Sequence, residues 1–345
     1  MARLLPRCAW RGGGSSARTH MNHGNPEAAV HRPPPETGPR SRATTLGLEA
    51  AQNTSNILRL LEAASHAYTA RDALGTVWHE RALCWRMLPR DSGGDNDKDG
   101  KWQAFSPLDD NVSTSANTTK KRNTPRLHSL NFSDGRTALV KLTGADGILR
   151  YLSLLRLDDA SSLNDGWTIL REVQVPTVQS LGDKNDNATS NPQDSILSLQ
   201  QTLKQYLRIE HGGGVSDFAN ATRLFAPQSS LLAVGMADVD KEPPSAWSAP
   251  AGTLLEIPLS TYLEGVKTQT PHVAASTTHD CIATVDVSGC AAMAVVRVGN
   301  GAQTLVFEDH LLLGQQQSSS SANAGGVWKI LSKTFSPQVW PSSSP

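Results

Sequence analysis

The sequence AVVRVGNGAQTLVFEDHLLL at residues 294–313 has an ungapped match, ALVKLTGADGILRYLSLLRL, at residues 138–157. The match aligns Ala294 with Ala138 and Phe307 with Tyr151. Each window indicates two β-strands joined by a glycine-containing turn, because apolar residues alternate with a basic residue before the turn and a second β-rich run follows it. The chain is therefore predicted to contain an internal duplication.

The similarity extends on both sides of the two hairpins. Each is followed by a matching tryptophan strand, GWTILREV at residues 166–173 and GVWKILSKTF at residues 326–335. Each copy is predicted to open with an amphipathic helix, one beginning near Thr54 and one near Asp194. The repeated unit is therefore a helix followed by an antiparallel meander of at least three strands.

Shorter elements fill the space between the first helix and the meander. Second helices are predicted at residues 70–82 and 215–226, short strands at residues 83–87 and 231–234, and a further pair of strands at residues 100–108 and 252–259. Only the second copy then continues with STYLEGVKTQ, which predicts another helix. The first copy has a polar run at the same place, so it is expected to lack that element.

The predicted domains follow from these limits. Residues 54–177 form a first, degenerate domain, residues 178–193 a polar linker, and residues 194–340 a second domain. Residues 1–50 are expected to lie outside any packed core, because residues 1–45 are rich in Arg, Gly, Ser and Pro. That composition fits an organellar transit peptide or a plain disordered extension. We therefore expect an intracellular protein, cytoplasmic or organellar (mitochondrial or plastid).

Composition excludes several functional classes. The formal net charge of the 345 residues is +0 and the mean hydropathy is −0.35, which gives no electrostatic reason to expect nucleic acid or an anionic membrane as a partner. No apolar run approaches the roughly 20 residues of a membrane-spanning helix. The four cysteines lack metal-ligand spacing. No metal and no cofactor is predicted.

The order of elements resembles the nuclear transport factor 2-like fold, in its lumazine-binding-like or SnoaL-like branch. The resemblance rests mainly on the second copy, in YLRIEHGGGVSDFANATRLFAP, GTLLEIPLSTYLEGV and TLVFEDHLLL followed by VWKILSKTF. It implies an α+β protein of two tandem cone-shaped barrels, each a curved antiparallel sheet wrapped around helices, with an apolar pocket inside the cone. Such folds carry many unrelated functions, so the resemblance implies no single chemistry.

Strand periodicity predicts which residues face the interior of each cone. Lys141, Arg150 and Arg156 are expected to point outward, so residues one step out of phase with them point inward. The predicted inward residues of the first hairpin are Ala138, Val140, Leu142, Leu149, Tyr151, Ser153, Leu155 and Leu157, and those of the second are Ala294, Val296, Val298, Leu305, Phe307, Asp309, Leu311 and Leu313. Asp309 is thus the one carboxylate on an apolar face, and Ser153 is its expected counterpart.

Asp309 is the candidate catalytic residue. Burial would raise its pKa and suit it to act as a general base, or it would only accept hydrogen bonds and anchor the helices. Both alternatives stay open at this point. Candidate ligand-binding residues around it are Tyr206, Phe225, Trp247, Tyr262, His272, Phe307 and Trp328.

Two functions are compatible with these residues. One is a binding or scaffold protein that holds a small planar or apolar ligand in the second domain. The other is a SnoaL-like isomerase, cyclase or dehydratase in which Asp309 moves a proton. Whether the protein is an enzyme stays open. The two domains are expected to pair within the chain as a pseudo-dimer, with the first domain either structural or carrying a degenerate pocket.

Overall fold

The computed structural model describes residues 39–67, 77–87, 102–108, 124–133, 135–158, 165–175, 192–211, 215–236, 249–268, 280–299, 305–316 and 326–339. These residues form four helices and two six-stranded sheets, an α+β architecture. The strand order of the second sheet repeats that of the first. This arrangement fits two tandem cone-shaped units.

The first unit opens with helix α1 (Pro39–Ala67). Its strands are β1 (Trp78–Met87), β2 (Trp102–Phe105), β3 (Arg126–Ser133), β4 (Thr137–Thr143), β5 (Leu149–Arg156) and β6 (Trp167–Gln174). They lie in the order β2-β1-β6-β5-β4-β3, and every pair is antiparallel except β1 with β6. The sheet is therefore mixed, with one parallel pair, formed by its second and third strands.

The second unit contains helices α2 (Pro192–His211), α3 (Val215–Leu224) and α4 (Leu259–Thr268). Its strands are β7 (Ser230–Val234), β8 (Leu254–Pro258), β9 (Cys281–Ser288), β10 (Ala291–Gly299), β11 (Leu305–Gln316) and β12 (Val327–Val339). They lie in the order β8-β7-β12-β11-β10-β9, with β7 and β12 as the one parallel pair.

Most predicted elements are present. Helices α3 and α4 confirm the two helices predicted after the opening helix of the second copy, and α1 starts earlier than the predicted position near Thr54. The helix predicted at residues 70–82 is wrong over residues 78–82, which form the first half of β1. Trp78 and Ala82 are buried there, and β1 pairs with both β2 and β6. Sheet pairing has overridden helical periodicity in this segment.

Each sheet packs one face against its own helices. In the first unit Ile57, Leu60 and Leu61 of α1 lie in one apolar cluster with Ala138 and Val140 of β4. The second unit has a corresponding cluster of buried residues from α2, α3, α4 and the sheet: Leu199, Leu203, Tyr206, Ile209, Ala221, Leu224, Phe225, Leu231, Ile257, Tyr262, Val266, Ala292, Ala294, Val296, Val298, Leu311, Leu313, Trp328 and Ile330. These two clusters are the interiors of the two cones.

The opposite faces of the two sheets pack against each other. This inter-sheet face contains Trp85, Leu139, Tyr151, Val173 and Val175 from the first unit and Ala226, Ala291, Met293, Val295, Leu312 and Leu331 from the second. Polar contacts cross it as well. Lys141 Nζ lies 2.6 Å from Asp286 Oδ1, and the Ser153 and Thr334 hydroxyl oxygens lie 2.6 Å apart. Both faces of the inner strands of each sheet are therefore covered, whereas the edge strands β3 and β9 stay largely exposed.

The predicted inward residues are confirmed in β4 and β10 and wrong in β5. Tyr151 lies on the inter-sheet face and Ser153 contacts Thr334 across it. The buried inward residues of β5 are Leu152 and Leu154, which join the first cone interior. The burial of both faces of β5 removes the alternation of apolar and polar residues from which a strand's orientation is predicted.

The contact between Trp102 and Gly314 fixes how the sheets fit together. The Trp102 ring would lie 2.3 Å from a Cβ atom at position 314, and its indole nitrogen donates to the Gln315 carbonyl at 3.2 Å. Any side chain at position 314 would displace the indole. Glycine therefore allows the edge strand of the first unit to lie against β11.

Candidate functional site

Asp309 lies inside the second cone and is 1% exposed. Its Oδ2 atom accepts a hydrogen bond of 2.6 Å from the Tyr206 hydroxyl of α2, and Lys333 Nζ lies 3.3 Å from the same oxygen. The strands supply this geometry, because Asp309 of β11 is paired with Val296 and Phe335 on its two sides. The carboxylate therefore faces the helices rather than the other sheet.

Lys333 joins Asp309 to a second carboxylate. Its ammonium donates to Glu210 Oε1 at 2.9 Å, and the Tyr262 hydroxyl of α4 donates to that same oxygen at 2.9 Å. The side chains of Lys333 and Glu210 are 6% and 17% exposed. Tyr206, Glu210, Tyr262, Asp309 and Lys333 form one connected group, called here the Asp309 cluster.

Aromatic rings surround the ammonium group of the cluster. Lys333 Nζ lies 5.2 Å from the centroid of Tyr206, 5.7 Å from that of Tyr262 and 5.6 Å from that of Phe335. These distances are within the range of cation–π attraction. The rings thus add stabilisation to a charge that has lost most of its water.

The pKa directions separate the roles of these groups. Burial raises the pKa of Asp309, the Lys333 ammonium opposes this, and Glu210 adds to it. Burial also acts to raise the pKa of Glu210, but the Lys333 charge and the hydrogen bonds that Glu210 accepts outweigh burial, so the pKa of Glu210 is lowered. Burial acts to lower the pKa of Lys333, but the two carboxylates raise it. Lys333 and Glu210 are thus held charged, and Asp309 is the group disposed to take up a proton.

The two tyrosines are held as neutral donors. Burial and the neighbouring Asp309 raise the pKa of Tyr206 well above its ordinary value, and burial and Glu210 do the same to Tyr262. A phenol that stays protonated can donate a hydrogen bond to a carboxylate or to a ligand oxygen. Chemically, the cluster offers two phenol donors, one ammonium and one titratable acid.

One atom of the cluster has no hydrogen-bond partner. Asp309 Oδ1 is buried and unpaired, whereas Oδ2 of the same group has two neighbours. An unsatisfied buried acceptor costs roughly 1–3 kcal/mol and is rare in folded proteins. The atom is therefore a place where an N–H or O–H group from a ligand would be stabilising.

The structure brings together some of the residues predicted to surround Asp309. Tyr206 and Tyr262 belong to the cluster, and the Phe225 ring contacts both, at centroid distances of 6.4 Å and 5.3 Å. The Phe307 ring lies 6.4 Å from Phe335. The Trp328 indole donates instead to the Ser195 carbonyl at 3.1 Å, away from the carboxylate. Trp247 and His272 lie outside the described residues.

Lys333 and Glu210 were not predicted as site residues. The register of β12 against β11 shifts between Leu312 and Leu313, which indicates a bulge. Ile330 faces the cone, Leu331 lies on the inter-sheet face, and Lys333 faces the cone again. The extra residue reverses the alternation beyond Ile330, so simple counting from Trp328 assigns Lys333 to the wrong face. Glu210, at the end of α2, had no motif to mark it.

The first unit has a buried ion pair at the corresponding place, with the charges exchanged. Strand β6 has a bulge directly after Ile169, and β12 has the same irregularity directly after Ile330. In this register Arg150 corresponds to Asp309, and Glu172 corresponds to Lys333. Arg150 Nε donates to Glu172 Oε1 at 2.8 Å, and their side chains are 2% and 0% exposed.

This correspondence corrects two predictions for the first hairpin. Arg150 does not point outward, because Glu172 and Asp146 hold its guanidinium inside. Ser153 is not the counterpart of Asp309, since it lies three positions further on and faces the other sheet. Because successive side chains of a strand point to opposite faces, a shift of three positions places Ser153 on the face opposite that of Arg150.

The Asp309 cluster lines neither of two cavities found among the described residues. One of about 280 Å³ lies where the two units meet, and one of about 320 Å³ lies between α2 and β9. Within the ranges that the structure describes, there is no group of three or more His, Cys, Asp or Glu side chains that could hold a metal ion. No helix within those ranges is long and apolar enough to span a bilayer.

Comparison with known families agrees with this geometry. Residues 195–336 match a family model described as putative lumazine-binding. The match covers less than half of the chain, and it supports a nuclear transport factor 2-like, ligand-binding or scaffold fold for the second half. A search of curated proteins found no match.

Two solved structures resemble the chain. A nuclear transport factor 2-like protein of unknown function from Silicibacter pomeroyi is 18% identical, with a TM-score of 0.31, and the match covers 43% of this chain and 99% of that protein. A cystatin-like fold protein from Burkholderia xenovorans is 15% identical, with a TM-score of 0.27, and the match covers 43% of this chain and 95% of the other.

The pKa of Asp309 predicts a particular pH dependence of stability. Because the native pKa lies above the ordinary value of 3.8, the native state keeps this proton where the unfolded chain has lost it. The contribution of Asp309 to the free energy of unfolding therefore falls as the pH rises from 3.8 through the native pKa. Asp309→Asn removes that contribution.

Urea titrations of both proteins between about pH 4 and about pH 7 measure this effect. We expect the free energy of unfolding of the wild type, minus that of Asp309→Asn, to decrease as the pH rises. A difference that increases with pH would contradict the prediction, because it would mean that Lys333 outweighs burial and lowers the pKa of Asp309.

Proposed function

We propose that the second domain binds a small planar ligand that donates a hydrogen bond to Asp309 Oδ1. The observation that carries this proposal is the buried and unpaired state of that oxygen beside an otherwise paired group of charges. Ligand sites combine apolar and aromatic walls with a few fixed polar groups. Tyr206, Tyr262 and Phe335 supply such walls, and Lys333 and the two phenols supply the polar groups.

The ligand chemistry follows from the donors and acceptors. Oδ1 requires an N–H or O–H group, and the Lys333 ammonium suits a carbonyl oxygen. A fused heteroaromatic ring with both groups would also stack on the rings. The family description names lumazine, whose pteridine ring carries ring N–H donors and carbonyl acceptors. Lumazine is therefore the first probe.

A second candidate function is a SnoaL-like isomerase, cyclase or dehydratase in which Asp309 is the general base. The Tyr206 hydroxyl at 2.6 Å and the raised pKa of Asp309 favour it. In this mechanism the Asp309 carboxylate takes a proton from a carbon next to a carbonyl, and the electron pair moves onto the carbonyl oxygen. Tyr206 or Lys333 would then stabilise the enolate oxygen, and Asp309 returns the proton.

The remaining proposals concern the chain as a whole. We propose two domains with the predicted limits 54–177 and 194–340, extended at their starts to the opening helices at Pro39 and Pro192, and an intramolecular pseudo-dimer formed through the inter-sheet face. The apolar residues on that face and the contact of Trp102 with Gly314 support the pairing. The first domain has an Arg150–Glu172 pair in its interior, which supports a structural role for it.

Lumazine titration tests the binding proposal. Because a hydrogen bond to a charged group contributes about 1.5–3 kcal/mol, Asp309→Asn is expected to weaken lumazine binding by about tenfold to a hundredfold. Glu308→Gln is the matched control, because Glu308 is adjacent on β11 and pairs with Arg297 rather than with the cluster. Calorimetry or ligand fluorescence measures both. Equal affinity in all three proteins would reject a recognition role for Asp309.

Proton exchange tests the second candidate function. With cyclohexanone in deuterated water, general base catalysis by Asp309 would speed deuterium uptake beside the carbonyl by about a hundredfold or more over buffer. Asp309→Asn should return the rate to that of buffer, and Glu308→Gln should keep it, as followed by mass spectrometry. Wild-type protein that exchanges no faster than buffer would count against a proton-transfer role.

The mass of the protein in solution tests the pseudo-dimer. If the two units bury each other's apolar sheet faces, sedimentation should give one species near 36.9 kDa at every protein concentration. A stable homodimer over the same range would show that the chain still needs a second copy.

A further inference from the structure

Asp309 is 1% exposed and lines neither cavity, so a ligand needs a path to it. The cavity of about 280 Å³ where the two units meet has walls from both of them. Arg136 and Thr137 come from the first unit, and Val234, Met236 and Phe335 come from the second. Such a cavity exists only because the two units are paired. It combines a guanidinium and a hydroxyl on one side with apolar groups on the other.

The second sheet has an interruption at this cavity. The parallel strands β7 and β12 are paired only at Leu231 with Lys333 and at Leu232 with Thr334. In the first sheet the corresponding ladder continues one position further, to Arg86 with Gln174. Phe335 corresponds to Gln174 in the register set by the two bulges. The pairing of β12 with β7 therefore stops one residue before Phe335, so β7 does not cover β12 at Phe335.

Phe335 borders both the cavity and the Asp309 cluster. It lines the cavity, and its ring centroid lies 5.6 Å from Lys333 Nζ. The residue is half-buried, and its ring makes an edge-on contact with the Phe307 ring at 6.4 Å. A half-buried ring with one edge-on aromatic contact can change rotamer far faster than a sheet can open.

We infer that the cavity between the two units is the access route to the Asp309 cluster, with the Phe335 ring as the movable barrier. This inference rests on the proposed function for the identity of the ligand. It gives the first domain a part in binding, because Arg136 and Thr137 form one wall of the route. The alternative route is the cavity of about 320 Å³, which Ile196, Leu199 and Val285 line between α2 and β9.

A buried thiol reports access without any ligand. Val296 is fully buried and paired with Asp309, so Val296→Cys places a thiol beside the cluster with little change in volume. Its alkylation by iodoacetamide is followed by peptide mass spectrometry, which separates it from the native cysteines. Met236→Trp blocks the proposed route at a residue that is 49% exposed, and Ile196→Trp blocks the alternative at a residue that is 44% exposed.

We expect Met236→Trp to slow alkylation of Cys at position 296 by about tenfold, and Phe335→Ala to accelerate it by a similar factor. Ile196→Trp should leave the rate within about twofold of the Val296→Cys protein. Alkylation slowed by Ile196→Trp and unchanged by Met236→Trp would overturn the proposed route. Equal rates in all four proteins would overturn it as well. Urea denaturation confirms that each variant is folded.

Lumazine kinetics separate this inference from the proposed function. In otherwise wild-type protein, Met236→Trp should lower the association and dissociation rates of lumazine together and leave its affinity unchanged. Unchanged rates with intact binding would overturn the route and keep the function. Absence of lumazine binding to the wild type would remove the function, while the alkylation rates would still decide whether this route admits small molecules.

Discussion

The structure depends on covering both faces of two sheets at once. Each sheet packs one face on its own helices and the other on the opposite sheet. A strand has only two faces, so most strand residues in the middle of each sheet are removed from water. This burial supplies the main stabilisation, and it also determines that any polar group within the strands must find its partner inside the protein.

Each cone contains one buried ion pair between its last two strands. The first has Arg150 with Glu172, and the second has Asp309 with Lys333. The two pairs differ in how completely they are satisfied. Glu172 also accepts from Gln174, whereas Asp309 keeps one oxygen without a partner. Removing one member of a buried pair costs about 3–5 kcal/mol, so each pair constrains its core. Only the second pair leaves an unfilled acceptor, and the proposed ligand site is at that atom.

Much of this fold could be predicted from the sequence, because turns, helix stripes and the repeated tryptophan strand are local signals. Leu199, Leu203 and Tyr206 of α2 face the core, as expected of the amphipathic helix predicted to begin near Asp194. Asp309 was recognised because it interrupts an apolar run. The orientation of β5 was not predictable in the same way, since residues on both of its faces are buried.

Lys333 and Arg150 show what local patterns cannot supply. A bulge in β12 moves Lys333 to the face opposite the one that regular alternation predicts. The sequence of β12 contains no signal for the position of this bulge. Arg150 is inside because Glu172 of the next strand neutralises it. Both depend on partners that are distant in sequence, and pairing between strands is decided by the whole sheet.

The pairing of the two units, which includes the contact of Trp102 with Gly314, has a consequence for biosynthesis. The last strand of the first sheet ends at Gln174, yet the surface that covers that sheet includes Leu312 and Leu331 near the other end of the chain. A ribosome must therefore add nearly half of the polypeptide after the first sheet has been made. During that interval the apolar face of the first sheet has no cover, and such nascent surfaces are the ones that chaperones bind.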